Sequence, residues 1–317
     1  VITPLPVVDM NAVAFLCMAV VAVGGCLTAL ERFHPRTWWD SVRDSKATCL
    51  HYLGVMPSML MGAKPSENDT NHTVRFGFGA GIDPKLHAAF EDRFGFPLSE
   101  GWAMTETGAG GTICANREPR VIGKSSIGSP DEKVEARLVD DAGNDAEQGE
   151  LLVRAAGDDP RKGFFAGYFK NEAATQEAWE GGWFHTGDIV CRDEQGYLHF
   201  VDRKKNVIRR SGENIAAVEV ENIMQQHPLV RSIAVAAVPD PVRGDEVFAC
   251  IVTKGTPGPA LAQQITDWCL TQLAYYKAPG YVAFVTELPL TATQKLQRAA
   301  LKTMVADLLD DPATVDT

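Results

Sequence analysis

The chain has 317 residues, of which 30 are basic and 41 acidic, and its formal net charge is -11. This length allows two or three domains with a sizeable core. The acidic balance argues against nucleic acid or an anionic membrane surface as a partner, because phosphate surfaces are bound by excess Lys and Arg. A small phosphorylated ligand needs only a local basic patch and stays open.

Residues 1–125 alternate strand-like and helical segments, which predicts a parallel α/β sheet. Residues 12–30 are uncharged and long enough for a membrane span, but Gly24 and Gly25 interrupt them. We interpret this segment as a buried helix, a glycine turn and a buried strand. Residues 83–95 predict a helix that Asp83 caps and Gly95 ends.

Residues 126–202 have a different pattern, in which short strands are separated by Asp-, Asn- and Gly-rich turns. Such spacing predicts a small antiparallel or barrel-like subdomain. Residues 203–317 mix helices and strands, as expected of an α+β domain, and their acidic end is expected to fray.

The seven cysteines are scattered and form no Cys-x-x-Cys pair. This pattern disfavours a disulfide framework or a zinc site and favours a reduced, cytoplasmic compartment. No signal peptide is visible, but the chain does not begin with Met and is expected to be part of a longer protein.

Two glycine- or threonine-rich turns follow strands of the predicted parallel sheet, where ligands bind in open α/β folds. Gly79, Ala80 and Gly81 would let a ligand approach the backbone. Thr105 could bind phosphate oxygens, and Glu106 could hold Mg²⁺. On residue types alone, such a stretch is more often a simple structural turn.

Acidic and basic groups further along could complete a nucleotide site. Asp188 follows a tight turn and could bind two adjacent hydroxyls, as in a ribose, or its own backbone. Five basic residues cluster in an otherwise acidic chain and form either a phosphate-facing patch or a solvated surface: Arg203, Lys204, Lys205, Arg209 and Arg210. Lys295 follows a Thr-rich loop near the end of the chain.

Several ordered motifs resemble those of the adenylate-forming superfamily of acyl-CoA synthetases, luciferases and peptide-synthetase adenylation domains. The resemblance runs from about Leu5 to about Arg298 and is carried by "GWAMTETG", "GELLVR", "GYFKN", "GWFHTGDIV", "GYLHFVDRKKNVIRRSGENI" and "PLTATQKLQR". It implies an α/β fold with the remainder of a parallel-sheet adenylation domain, a β-barrel-like subdomain and a mobile C-terminal domain that carries the adenylation lysine.

The resemblance also implies a role for each matching residue. Around adenine, it implies that Gly79, Ala80 and Gly81 line the base and the acyl side and that Trp102 lies against the base. Around the phosphates, it implies that Thr105 binds the α-phosphate and Glu106 binds Mg²⁺. For the ribose, it implies that Asp188 holds the hydroxyls, with Arg203 nearby. For catalysis and domain rotation, it implies Lys295 as the adenylation lysine, Lys205 as the hinge, and Gly212, Glu213 and Asn214 as the loop for the thioester step. For the acyl pocket, it implies Asp9, Gly108, Ala109 and Gly110.

The chain departs from the family pattern at three places. The family's Gly/Ser/Thr-rich phosphate loop is not found, so this piece is expected not to adenylate alone. Gln294 replaces the usual Gly before the lysine. Asp9 stands where acyl-CoA synthetases often have His, which predicts a cationic substrate such as an amino acid or a quaternary ammonium acid, unless Asp9 faces solvent or caps a helix.

Three functions are compatible with the sequence. The first is an acid:CoA ligase that uses ATP, Mg²⁺, CoA and a small carboxylic acid. The resemblance favours it because Met104 stands where peptide-synthetase domains usually have Pro. The second is an amino-acid adenylation enzyme that loads a carrier protein. The third is a non-catalytic relative that binds nucleotide. The oligomeric state is left open, a homodimer being one arrangement.

Overall fold

The computed structural model describes residues 1–7, 11–115, 117–211, 213–291 and 296–317. The chain forms two compact units, Val1–Phe200 and Val201–Thr317. No helix in these described ranges is both long and apolar enough to cross a membrane.

The first unit begins with a six-stranded sheet in the order β2-β1-β3-β4-β5-β6. Its strands are β1 (Ile2–Thr3), β2 (Thr28–Ala29), β3 (Cys49–Leu53), β4 (Phe76–Ala80), β5 (Leu98–Trp102) and β6 (Ile113–Cys114). The first five are parallel, and β6 runs antiparallel to β5. The parallel α/β sheet predicted for this part of the chain is thus confirmed.

The described residues of this part of the chain include four α-helices: α1 (Met18–Ala22), α2 (Trp38–Ser45), α3 (Val55–Met61) and α4 (Pro84–Phe94). Helix α4 begins and ends as predicted, because the Asp83 carboxylate accepts from the Lys85 amide and Gly95 adopts a positive φ of 75°. Trp38, Phe90 and Phe94 are almost fully buried and belong to one core with the strands.

The prediction for residues 12–30 is only partly correct. A π-helical stretch, Asn11–Cys17, continues into α1. This helix buries Ala12, Leu16 and Val20, whose spacing of four places them on one side, and the exposed fractions of Met18 and Val21 are 59% and 71%. The helix is therefore buried on one face only, and the strand that follows has two residues, neither fully buried.

A five-stranded sheet in the order β7-β11-β10-β9-β8 belongs to the first unit except for residues 201–203, which end β11. Its strands are β7 (Ser126–Gly128), β8 (Val134–Val139), β9 (Gln148–Ala155), β10 (Phe184–Arg192) and β11 (Leu198–Arg203). The pairs β8–β9, β9–β10 and β7–β11 are antiparallel, as predicted. Within the described residues the strand order has two edges, so this sheet is open and not a closed barrel. Helix α5 (Glu172–Ala178) precedes β10.

The second unit combines a six-stranded sheet with three helices, as expected of an α+β fold. The strands are β12 (Val207–Arg210), β13 (Glu213–Ala216), β14 (Val230–Asp240), β15 (Gly244–Thr253), β16 (Tyr281–Phe284) and β17 (Val315–Asp316), and the helices are α6 (Ala217–Met224), α7 (Pro259–Leu270) and α8 (Arg298–Leu309). The expectation of a frayed C-terminus is wrong, because β17 pairs with β16 and the Thr317 amide donates to the Gly280 carbonyl.

Candidate active site

The glycine turn lies at the carboxyl end of β4. Gly79 and Ala80 are the last residues of the strand, and Gly81 has φ +79°. A Cβ atom at position 79 would lie 2.2 Å from the Tyr52 carbonyl oxygen, so only glycine fits between the two strands. Gly79 is therefore a packing residue, whereas Gly81 is exposed at the carboxyl ends of the strands, where parallel α/β folds bind ligands.

Glu100 on β5 holds this turn. Its carboxylate accepts hydrogen bonds from the amide of Gly81 at 2.7 Å, the amide of Ile82 at 3.3 Å and the hydroxyl of Tyr52. Burial raises the pKa of Glu100, although these hydrogen bonds oppose the shift. We did not single out Glu100 from the sequence, although an acid at an inward-facing position between Leu98 and Trp102 was a signal.

Trp102 lies two residues further along the same face of β5. Its indole Nε1 donates a hydrogen bond to Asp188 Oδ2 at 2.8 Å. The exposed fractions are 6% for Trp102 and 1% for Asp188, so the contact is shielded from water. β5 thus contacts both the glycine turn and the proposed ribose residue.

Asp188 lies within strand β10. The prediction that a tight turn precedes Asp188 is wrong. Residues 186–188 form an irregularity inside β10, where the register with β9 shifts between His185 and Ile189. Gly187 has φ +66°, and the Asp188 amide donates to the Thr186 hydroxyl. A bulge of this kind redirects a side chain without ending the strand.

The loop with Thr105 and Glu106 follows β5 directly. Thr105 is exposed and Glu106 is half-buried. The Tyr168 hydroxyl donates to Glu106 Oε1 at 3.2 Å, and the Phe165 amide donates to the Glu106 carbonyl at 2.9 Å. Burial raises the pKa of Tyr168, and the negative charge of Glu106 adds a smaller contribution in the same direction. Tyr168 belongs to the "GYFKN" motif, but the sequence did not indicate this contact.

Close backbone packing accounts for two of the predicted acyl-pocket residues. A Cβ atom on Gly108 would lie 2.2 Å from the Gly163 carbonyl oxygen, and one on Gly110 would lie 2.2 Å from the Lys162 carbonyl oxygen. Ala109 is exposed and lines a cavity of about 340 Å³. Packing against residues 162–163 thus requires glycine at positions 108 and 110, and their role toward an acyl group stays a prediction.

Arg203 and Lys205 lie at the start of the second unit. Asp202, which is 1% exposed, accepts hydrogen bonds from the amides of Arg203 and Val218. The Lys302 ammonium donates to the Lys205 carbonyl at 3.0 Å. The carbonyl of the proposed hinge residue is therefore held by Lys302, and Asp202, which holds the neighbouring backbone, is a residue that sequence analysis missed.

The basic cluster does not act as one patch. The Arg210 guanidinium lies 2.9 Å from Glu246, whose side chain is 1% exposed, and donates to the carbonyls of Tyr276 and Ala278. Arg210 is therefore a structural residue of the second unit and neither phosphate-facing nor solvated. Glu213 and Asn214 are exposed on β13, opposite Arg210 and Arg209.

Four residues named from the sequence, Asp9, Gly212, Gln294 and Lys295, lie outside the described residues. In the part of the chain that the structure describes, no three His, Cys, Asp or Glu side chains are grouped in a way that could hold a metal ion. A protein-only metal centre is thus not seen there. Mg²⁺ is commonly held by one or two carboxylates together with substrate phosphates, and Glu106 fits that mode.

Two family models match the chain. Residues 1–169 match the model described as AMP-binding enzyme, and residues 219–295 match that of the AMP-binding enzyme C-terminal domain. The chain belongs to the AMP-binding enzyme family. The resemblance to adenylate-forming enzymes is thereby confirmed.

A curated relative is the crotonobetaine/carnitine–CoA ligase of Escherichia fergusonii, which is 33% identical over 307 residues. The alignment covers 95% of this chain but only 58% of that relative.

Solved structures of AMP-binding enzymes share the fold. The o-succinylbenzoate CoA synthetase of Bacillus subtilis, in complex with its acyl-adenylate intermediate, matches with a TM-score of 0.78 and 26% identity over 95% of this chain and 60% of that one. ATP-bound MatB from Rhodopseudomonas palustris matches with a TM-score of 0.80 and 25% identity over 97% of this chain and 60% of that one. The α/β fold inferred from the sequence is therefore confirmed.

Proposed function

We propose that the protein containing this chain is an ATP-dependent acid:CoA ligase that forms an acyl-adenylate and transfers the acyl group to CoA. The observation that carries the proposal is the position of β5, where Glu100 binds the glycine turn, Trp102 binds Asp188, and Thr105 and Glu106 follow. One strand thus organises groups suited to adenine, ribose and phosphate.

The chemistry requires charge neutralisation at the phosphate that reacts. A carboxylate oxygen attacks the α-phosphorus of ATP, the bond to pyrophosphate breaks, and an acyl-AMP forms. The sulfur of CoA then attacks the acyl carbon and AMP leaves with the bonding electrons. Thr105 would donate to the α-phosphate, Glu106 would hold Mg²⁺, which would offset the phosphate charge, and Lys295 would do the same with an ammonium.

The second unit would serve the switch between the two reactions. We propose Lys205 as the hinge, because domain closure in enzymes turns on a few residues at element ends. The short segment around Lys205 joins β11 to β12 and is held by Asp202 and Lys302. Gly212, Glu213 and Asn214 would replace Lys295 for thioester formation.

For the substrate, we propose a carboxylic acid with a quaternary ammonium group. Support comes from Asp9, an acid in a stretch otherwise rich in apolar residues, and from the name of the E. fergusonii relative, a crotonobetaine/carnitine–CoA ligase. A carboxylate removed from water is stabilised by a fixed cation, and a trimethylammonium group has no proton to lose.

The test is an assay of AMP and acyl-CoA formation with the protein as expressed from its own gene, with ATP, Mg²⁺ and CoA. Crotonobetaine is compared with 5,5-dimethylhex-2-enoate, in which carbon replaces the cationic nitrogen at equal shape. We expect turnover that requires CoA and a preference of roughly tenfold or more for the cation, since two opposite unit charges about 4 Å apart attract by up to about 4 kcal/mol near a protein surface. Asp9→Asn should remove that preference.

Each alternative has its own outcome in this assay. Equal rates with the two acids would contradict the cationic substrate but not the ligase. Adenylate formation that ignores CoA would contradict the CoA ligase and favour an enzyme that loads a carrier protein. Nucleotide binding without turnover on any acid would favour a non-catalytic relative.

A further inference from the structure

The hydrogen bond between Trp102 and Asp188 joins two residues that are 86 positions apart. The family resemblance implies separate roles for them, Trp102 toward adenine and Asp188 toward ribose. In the structure they form one unit, since the indole Nε1 lies 2.8 Å from Asp188 Oδ2 and both side chains are almost fully buried.

The surroundings leave the Asp188 carboxylate little freedom to turn. Its backbone is fixed by the bulge at Gly187, where the Asp188 amide donates to Thr186 Oγ1 and that hydroxyl donates to the Leu151 carbonyl at 2.6 Å. Rotation of the carboxylate about its last torsion would break the bond from Trp102. The indole N–H therefore selects one orientation of the carboxylate.

Trp102 is itself held firmly. Its ring belongs to the hydrophobic core of the antiparallel sheet, together with Ile113, Ile127 and Leu198. A side chain locked by packing is a suitable support for a ligand-binding group. The supported group is already ordered before the ligand arrives, so little conformational entropy is lost on binding.

We propose that Trp102 is a positioning residue for ribose recognition, acting through Asp188 by fixing its carboxylate toward the nucleotide's 2′- and 3′-hydroxyls. This inference rests on the proposed function of Asp188 and goes beyond the aromatic contact with adenine. It makes discrimination between ribose and dideoxyribose nucleotides depend on the indole N–H.

The experiment measures the dissociation constants of AMP and 2′,3′-dideoxy-AMP by isothermal titration calorimetry, using the protein as expressed from its own gene. We expect wild type to prefer AMP by roughly tenfold or more, as for hydrogen bonds to a charged group. Asp188→Ala should bring the ratio of the two constants near one. Trp102→Phe keeps an aromatic ring for adenine but loses the N–H, and it should remove most of the ratio.

Trp179→Phe is the matched control. Trp179 is 5% exposed and belongs to the same core, where its ring contacts Phe164 and Phe184. This variant should lose stability but keep the wild-type ratio. If Trp102→Phe weakens both nucleotides equally, Trp102 acts on adenine or on stability alone and the inference is wrong.

Wild-type protein gives a second readout that needs no folded Trp102 variant. In ¹⁵N-tryptophan spectra, the indole resonance that moves in Asp188→Asn identifies Trp102. It should shift on addition of AMP and much less on addition of dideoxy-AMP. Equal shifts would overturn the inference but leave the proposed function intact, whereas absence of AMP binding by wild type would overturn both.

Discussion

At the scale of single residues, the buried acid Glu100 fixes the backbone of a turn that follows a neighbouring strand. Glu100 is 6% exposed, yet its carboxylate has no cationic partner among the contacts described; backbone amides of residues 81 and 82 and the Tyr52 hydroxyl hold it instead. The same hydrogen bonds fix the turn after β4. Glu100 is therefore a positioning residue for the glycine turn.

Replacing Glu100 should test this role. We expect Glu100→Ala to lower the free energy of unfolding by roughly 2–4 kcal/mol, because the amides of residues 81 and 82 and the Tyr52 hydroxyl lose their acceptor. Glu100→Gln keeps an acceptor and should cost less. Urea denaturation measures both variants, and Tyr52→Phe, which removes only the hydroxyl, should cost about 1 kcal/mol.

The pH dependence gives a further check on Glu100. Burial raises its pKa above the ordinary 4.5, so the folded state holds this proton more tightly than the unfolded chain. The contribution of this protonation to the free energy of unfolding is complete below pH 4.5. It is lost as the pH rises through the pKa of the folded state. The deficit of Glu100→Gln relative to wild type should therefore shrink with rising pH; a constant deficit would contradict a raised pKa.

At the scale of elements, α4 is joined to β5 by one carboxylate. Glu91 on α4 accepts from the Arg120 guanidinium at 2.7 Å, from the Leu98 amide at 2.8 Å and from His87 at 3.0 Å. Burial alone would raise the pKa of Glu91, but these hydrogen bonds dominate and lower it to about 2. The start of the strand that carries Glu100 and Trp102 is thus fixed by an ion pair.

This joint should weaken in acid. Because the folded pKa of about 2 is below the ordinary 4.5, Glu91 contributes stability above pH 4.5 that is lost as pH falls toward 2, in total roughly 3 kcal/mol. The difference in unfolding free energy between wild type and Glu91→Gln should therefore narrow from pH 5 to pH 2.

Glu118 provides a matched control for this prediction. It also pairs with Arg120, at 3.3 Å, but its side chain is 80% exposed. Glu118→Gln should change stability by less than about 1 kcal/mol at any of these pH values. A pH-independent deficit for Glu91→Gln would show that shape and not charge joins α4 to β5.

At the scale of the whole molecule, the proposed groups are distributed over two units. The glycine turn, Thr105, Glu106 and Asp188 belong to the first, whereas Arg203 and Lys205 belong to the second. Each unit has its own core, around Trp38 and Phe94 in the first and around Val247 and Ile251 in the second. The domain rotation proposed above requires units with separate cores.

The 317 residues span 58% of the length of the curated relatives they match. No family-type phosphate loop was found in them. We therefore expect this chain to bind AMP but to give no ATP–pyrophosphate exchange with any acid, because the β- and γ-phosphates would lack their binding loop. Exchange that Lys295→Ala abolishes would contradict this expectation.

The sequence by itself determined the parallel α/β pattern, the antiparallel strands that follow it and the ends of α4. These features depend on neighbours a few residues apart: Asp83 caps its own helix, and turns rich in Asp, Asn and Gly separate β8 from β9 and β10 from β11. The motif spacing also identified the family, which the matches to residues 1–169 and 219–295 confirm. Site roles assigned by motif stay predictions.

Only the tertiary structure decided which residues hold the site together. Trp102 meets Asp188 across 86 positions, Arg210 meets Glu246, and Gly108 packs on Gly163. Likewise, the exposed face of α1 and the pairing of β17 went against local pattern. Such contacts depend on which distant segments share a core or a sheet edge, and local propensity and periodicity carry no information about that.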